Sequence, residues 1–151
     1  MFRGIHAINV DEKGRMAVPS CYRQPLNEDS KGKLVITIDT EQHCLLLYPL
    51  SIWEALEAKI AALPSFHPVT RRIQRLLIGH ASEVEMDKNG RILVSPLLRE
   101  YAGISKRVVV LGQGNKFEIW DEENWQKSRD GWLTEHLDEA ELPEELKEIS
   151  L

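Results

Sequence analysis

Two short phrases hold the residues best suited to chemistry: Asp11-Glu12-Lys13-Gly14-Arg15 and Asp87-Lys88-Asn89-Gly90-Arg91. An aspartate can accept hydrogen bonds from backbone N–H groups two residues on, and glycine takes the positive φ that other residues resist. Each phrase therefore predicts a tight turn between strands. An arginine just past such a turn stands near an exposed tip. A guanidinium can donate two parallel hydrogen bonds to guanine O6 and N7, and a two-stranded β-ribbon fits the major groove of double-stranded DNA. Lys13 and Lys88 beside the turns suit phosphate contacts, which position a protein without reading bases. Gly14 would let the backbone approach closely. The competing role for Arg15 is a structural ion pair, with Asp11 or with a carboxylate of the adjacent half of the chain.

The elements that must position these residues are legible as a repeat. At a constant separation of 76, Asp11 matches Asp87, Gly14 matches Gly90, Arg15 matches Arg91, Met16 matches Ile92, Val18 matches Val94 and Arg23 matches Arg99. Lys13 has Asn89 as its counterpart. A second echo, Leu45 to Trp53 against Phe117 to Trp125, runs at a separation of 72, so the stretch between differs in length by four. Two echoes in the same order imply two half-domains of one construction. Each phrase is flanked by alternating and β-branched residues, which predicts a β-hairpin with Arg15 or Arg91 opening its second strand. Pro19 and Pro96 then favour short helices over Ser20–Leu26 and Pro96–Ile104, with Gly103 at a C-cap.

Between the copies lie two further helix candidates. Ser51 with Glu54 reads as a capping box for a helix that Pro64 stops. A second helix runs from Pro68 to Gly79, and its Arg71, Arg72 and Arg75 read as a solvated face or as ion pairs to a neighbouring subunit. Past Asp121 the strand character ends. A helix there would partly bury Trp125, Trp132 and Leu133, and a short acidic helix follows Pro143. The organisation expected is a first half over 1–53, connecting helices over 54–80, a second half over 81–125 and an acidic helical tail over 126–151.

Composition bounds the rest. A chain of 151 residues suffices for a core of its own, as one domain or two joined halves. It holds no apolar run long enough to span a bilayer, and its start lacks a signal-peptide pattern, so a cytosolic protein is expected. Cys21 and Cys44 form no C-x-x-C pair and read as buried thiols. The net charge of −5 is unevenly spread. Residues 121–151 carry 11 acidic and 3 basic side chains, whereas residues 1–120 carry 13 acidic and 16 basic. The body is thus mildly basic, and local patches decide whether a polyanion is attracted.

Catalysis finds no support. His6, His43, His67, His80 and His136 form no metal-ligand motif, and no phosphate-binding glycine loop is present. The stretch beginning Asp87-Lys88-Asn89-Gly90 has its glycine in the wrong place for an EF-hand, and no glutamate closes the loop. No cofactor and no metal are expected.

With both phrases placed, the chain resembles the MraZ family of bacterial transcriptional regulators. The resemblance rests on MFRG, DEKGRMAVP, CLLLYPLSIWE, RRIQRLLIGHASE, MDKNGRILVSPLLREYAG and GQGNKFEIWDEENW, which together span about residues 1–125. It implies an α+β fold of two pseudo-twofold-related hairpin-and-helix halves forming an AbrB-like swapped-hairpin β-barrel. It also implies a nucleoid-associated repressor that forms ring-shaped homo-oligomers. Such a protein would bind G-rich direct repeats upstream of the division and cell-wall gene cluster, its own gene included. Asp11, Gly14 and Arg15 carry the family motif, as do Asp87, Gly90 and Arg91. A different class of function is an antitoxin-like module that grips a protein partner through the acidic tail.

Overall fold

The computed structural model describes residues 1–151. Eight strands alternate with helices in two similar runs. The first run is β1 (Ile5–Asn9), β2 (Arg15–Ala17), α1 (Ser20–Ser30), β3 (Lys33–Ile38), β4 (Leu45–Pro49) and α2 (Leu50–Ala61). The second is β5 (Ser82–Glu85), β6 (Arg91–Leu93), α4 (Pro96–Tyr101), β7 (Arg107–Gly112), β8 (Phe117–Asp121) and α5 (Glu122–Thr134). Between them stands α3 (Pro68–Ile73), which continues as a π turn over Gln74–Ile78; a one-turn helix α6 (Glu144–Lys147) lies near the end. The fold is mixed α+β with two similar β-rich halves, as the repeat implies. The four-residue length difference divides equally. Two extra residues lie between β2 and β3 relative to β6 and β7, and two more between β3 and β4 relative to β7 and β8.

Strand pairing departs from the local hairpins that the turn phrases alone suggest and agrees with the swapped-hairpin arrangement that the resemblance implies. β1 pairs with β7 rather than β2, β5 pairs with β3, and β2 pairs antiparallel with β6. Each turn phrase keeps one bridge or less to its own preceding strand: Val10 meets Met16 in an isolated bridge. The hairpins are therefore exchanged between halves. A six-stranded sheet, ordered β1-β7-β8-β4-β3-β5, stands beside the two-stranded β2–β6 ribbon, and the sheet is not closed into a barrel.

Register makes the pseudo-twofold explicit. In the ribbon Met16 faces Ile92, its own repeat mate, and Arg15–Leu93 and Ala17–Arg91 flank that pair symmetrically. In the sheet Leu46 faces Glu118, again its repeat mate. One axis thus passes through both pairs.

Alternation along the strands buries both sheet faces. Leu34, Ile36 and Ile38 of β3, Leu45 and Leu47 of β4, Val108 and Val110 of β7, and Phe117 and Ile119 of β8 join the main core. Met16, Val18, Ile92, Val94, Leu26 and Leu98 close that core from above, so the ribbon, α1 and α4 form a lid on this face. Val35, Leu46 and Tyr48 point the other way, onto Trp53 of α2 and Leu77 of the π turn. The buried Thr37 hydroxyl donates to the Leu77 carbonyl at 2.7 Å and so carries no unpaired polar group into the core.

Several local expectations need correction. Ser51 does not cap α2: strand β4 runs straight into the helix, Pro49 takes the cap position, and no side chain caps it. Cys21 is exposed, and only Cys44 is buried. Leu133 is 77% exposed, because α5 buries the Trp120–Trp125 side and turns Leu133 outward. The α4 terminus agrees with the reading, with Gly103 at φ 63° just past the helix. No helix is long and apolar enough to cross a membrane.

Candidate nucleic-acid interface

The two turns are built alike, atom for atom. Asp11 Oδ1 accepts from the backbone N–H groups of Lys13 at 3.0 Å and Arg15 at 2.9 Å. Asp87 Oδ1 accepts from Asn89 at 2.8 Å and Arg91 at 2.9 Å. Backbone bonds close each loop: the Gly14 N–H donates to the Asp11 carbonyl at 3.0 Å, and Gly90 to Asp87 at 2.9 Å. Gly14 at φ 88° and Gly90 at φ 73° occupy the left-handed region, which the tight turn demands.

The second carboxylate oxygen holds the arginine. Asp11 Oδ2 accepts from Arg15 Nε at 2.8 Å, and Asp87 Oδ2 accepts from Arg91 Nε at 3.4 Å. The ion pair weighed for Arg15 is therefore present, and it takes only Nε. Neither arginine donates from its two Nη groups, and both side chains remain more than a third exposed, at 39% and 36%. Holding Nε fixes the plane of the guanidinium and leaves its Nη end, the bidentate end, free. Backbone N–H donation from Arg15, reinforced by its guanidinium, keeps the Asp11 carboxyl below its ordinary value, and Arg91 does the same for Asp87.

The ribbon brings the two arginines onto one surface. Residues 16 and 92 point into the core, each 1% exposed, so Arg15, Ala17, Arg91 and Leu93 line the outward face. Arg15 and Arg91 are diagonal neighbours across the ribbon, a relation that sets the two residues about 7–8 Å apart. The turn phrases put Arg15 and Arg91 on two separate hairpins; strand exchange brings them onto one face of a single ribbon.

Lys13 and Lys88 are exposed at the turn tips and form no ion pair. Although Asn89 replaces Lys13 in the second copy, the second turn is not the less basic one. Glu12 offsets Lys13, whereas Lys88 stands where Glu12 would be.

Sequence reasoning also missed two arginines. The guanidinium of Arg99 lies against Gly14, and that of Arg23 lies against Gly90, so each turn touches a cation from the opposite half. The signal was available: Arg23 and Arg99 are matched at the same separation of 76.

One cluster has metal-ligand side chains, Asp39, Cys44 and Glu118, with donor atoms within 4.8 Å of one another. Burial pushes the Cys44 thiol pKa up, and the nearby carboxylates of Glu118 and Asp39 add to that. The thiol donates to Asp39 Oδ2 at 3.6 Å.

Comparison with known proteins follows the repeat. The family model described as "MraZ protein, putative antitoxin-like" matches residues 1–76 and again 77–141. Proteins named "Transcriptional regulator MraZ" align with the whole chain over their own whole length. That of Coxiella burnetii (strain RSA 493 / Nine Mile phase I) is 54% identical over 152 residues. Those of Legionella pneumophila (strain Paris) and Halorhodospira halophila (strain DSM 244 / SL1) are each 53% identical over 152 residues.

Proposed function

The chain belongs to the MraZ family, and we propose that it is a transcriptional regulator that binds double-stranded DNA through the outward face of the β2–β6 ribbon. The observation that carries this reading is the pair of aspartate-held arginines, Arg15 and Arg91, side by side on that face with their Nη ends free. A two-stranded ribbon fits the major groove, and an arginine presented end-on there matches guanine O6 and N7. Their spacing of about 7–8 Å corresponds to roughly two base-pair steps, so one ribbon reads within one short G-rich element. Lys13 and Lys88, flanking the ribbon ends, contact phosphate and set the register.

The site in the DNA is a set of G-rich direct repeats upstream of the division and cell-wall gene cluster, the protein's own gene included, and the outcome is repression. Direct repeats suit subunits related by one repeated rotation, as in a head-to-tail ring. Each subunit then engages one repeat weakly, and linkage through the ring multiplies affinity by effective concentration. Footprinting of the purified protein on DNA upstream of its own gene tests this: protection should recur at the spacing of the repeats. Absence of protection there would contradict it.

The antitoxin-like alternative has one feature in its favour, the exposed acidic tail beyond Thr134. Co-purification of a basic partner that is lost on tail removal, with no DNA binding by the full chain, would favour that alternative.

A further inference from the structure

The turns and the helices that follow them are interlocked across the halves. Arg23 of α1 donates from Nε to the Val18 carbonyl at 2.8 Å. Its guanidinium lies over the α-carbon of Gly90, where a methyl group would collide with it. The Val18 N–H donates to the Gly90 carbonyl at 2.8 Å. Arg99 of α4 repeats the arrangement in the opposite direction: Nε donates to the Val94 carbonyl at 3.1 Å, the guanidinium lies over Gly14, and the Val94 N–H donates to the Gly14 carbonyl at 2.8 Å. Neither Arg23 nor Arg99 forms an ion pair, so charge neutralisation is not what holds them.

Each turn is a rigid unit closed by its own aspartate, and it rests on a planar cation supplied by the other half. The orientation of that plate fixes the tilt of the unit, and with it the direction of the arginine that follows the glycine. We propose that Arg23 and Arg99 are positioning residues that act across the halves: Arg23 sets the aim of Arg91, and Arg99 sets the aim of Arg15. The inference rests on the DNA reading given above. It gives a shared role to the two arginines that recur in the repeat eight residues after Arg15 and Arg91.

The test uses the cross-half signature. Arg91→Ala and Arg15→Ala first identify the base position that each arginine reads. Arg23→Lys keeps the charge and removes the planar plate with its Nε donor. It should lower discrimination at the Arg91 position by about tenfold and change the Arg15 position by less than about twofold. The slope of log affinity against log salt should stay unchanged. Arg99→Lys should give the mirror result. Uniform weakening on all sequences with a shallower salt slope would make Arg23 a phosphate contact and overturn the proposal. Equal loss at both positions, or none, would overturn it too. The free protein supplies a second readout. In Arg23→Lys the NMR signal of the Arg91 Nε–H, held by Asp87 in the wild type, should shift or broaden while that of Arg15 stays in place. An unmoved Arg91 signal overturns the proposal. If that signal moves as expected but the wild type does not bind DNA, the DNA reading alone has failed.

Discussion

Asp11 uses its two oxygens for different ends, one closing the turn and the other holding Arg15 by Nε. At the scale of single residues, the proposed base-reading arginines and phosphate-anchoring lysines differ in what their loss should do. Arg15→Ala should cost roughly 1–3 kcal/mol of binding and relax preference at one base, whereas Lys13→Ala should weaken all sequences alike and reduce the salt slope by about one. Competition binding against single-base variants at several salt concentrations distinguishes the two patterns, and equal loss at every sequence for Arg15→Ala would make it a phosphate contact only. The holding carboxylates also set a pH limit. A carboxyl whose folded pKa is depressed contributes stability that is present above its unfolded pKa and lost as pH falls through the folded value. Asp11 and Asp87 both lie below their ordinary 3.8. Both carboxylates therefore stay ionised at neutral pH, and what they contribute to the turns is lost only in acid below that value. Carbon-13 NMR titration should give both carboxyls midpoints under 3.8; a midpoint at or above it would remove that contribution.

The ribbon is three residues long on each strand, too short to persist alone, and its inner face supplies what holds it. Ile92 is 1% exposed and packs in the main core opposite Met16, so Ile92→Ala should destabilise the fold by about 2–5 kcal/mol in denaturant titration. A loss under about 0.5 kcal/mol would mean the ribbon is not docked as described. Gly14→Ala should also destabilise, since it combines an unfavourable φ of 88° with a collision against the Val94 carbonyl and the Arg99 side chain. These elements also mark how far the sequence could be read. The Asp–Gly turn chemistry was legible because it is local, five hydrogen bonds within five residues. The partner of β2 was not, because a turn phrase specifies that the chain reverses there and leaves open which strand lies alongside. The 76-residue repeat held the clue, since symmetric halves can pair mate to mate, as Met16 with Ile92 does. Ser51 misled for a related reason: a capping-box pattern counts only where the chain enters the helix from a loop, and here Pro49 ends a strand one residue before α2 begins.

For the whole molecule, the proposed reading face lies in the part of the chain whose basic side chains outnumber its acidic ones, because the net negative charge is gathered over residues 121–151, away in sequence from both turns. Removal of residues 135–151, which are exposed almost throughout, should leave the thermal midpoint nearly unchanged. If the proposed ring supplies effective concentration to ribbons that each make few contacts, a monomeric variant with every arginine intact should lose most promoter affinity. Analytical ultracentrifugation paired with gel shifts checks this, and a clean monomer that binds as tightly as the wild type would contradict it. The central claim, that the ribbon arginines read guanine in the major groove, is tested most directly by replacing single guanines of a promoter repeat with 7-deazaguanine, which lacks the N7 acceptor. The wild type should lose affinity at the substituted position, and Arg15→Ala, already without that contact, should lose none there. Equal sensitivity of both proteins at every guanine, or none in either, would place the DNA somewhere other than on this ribbon.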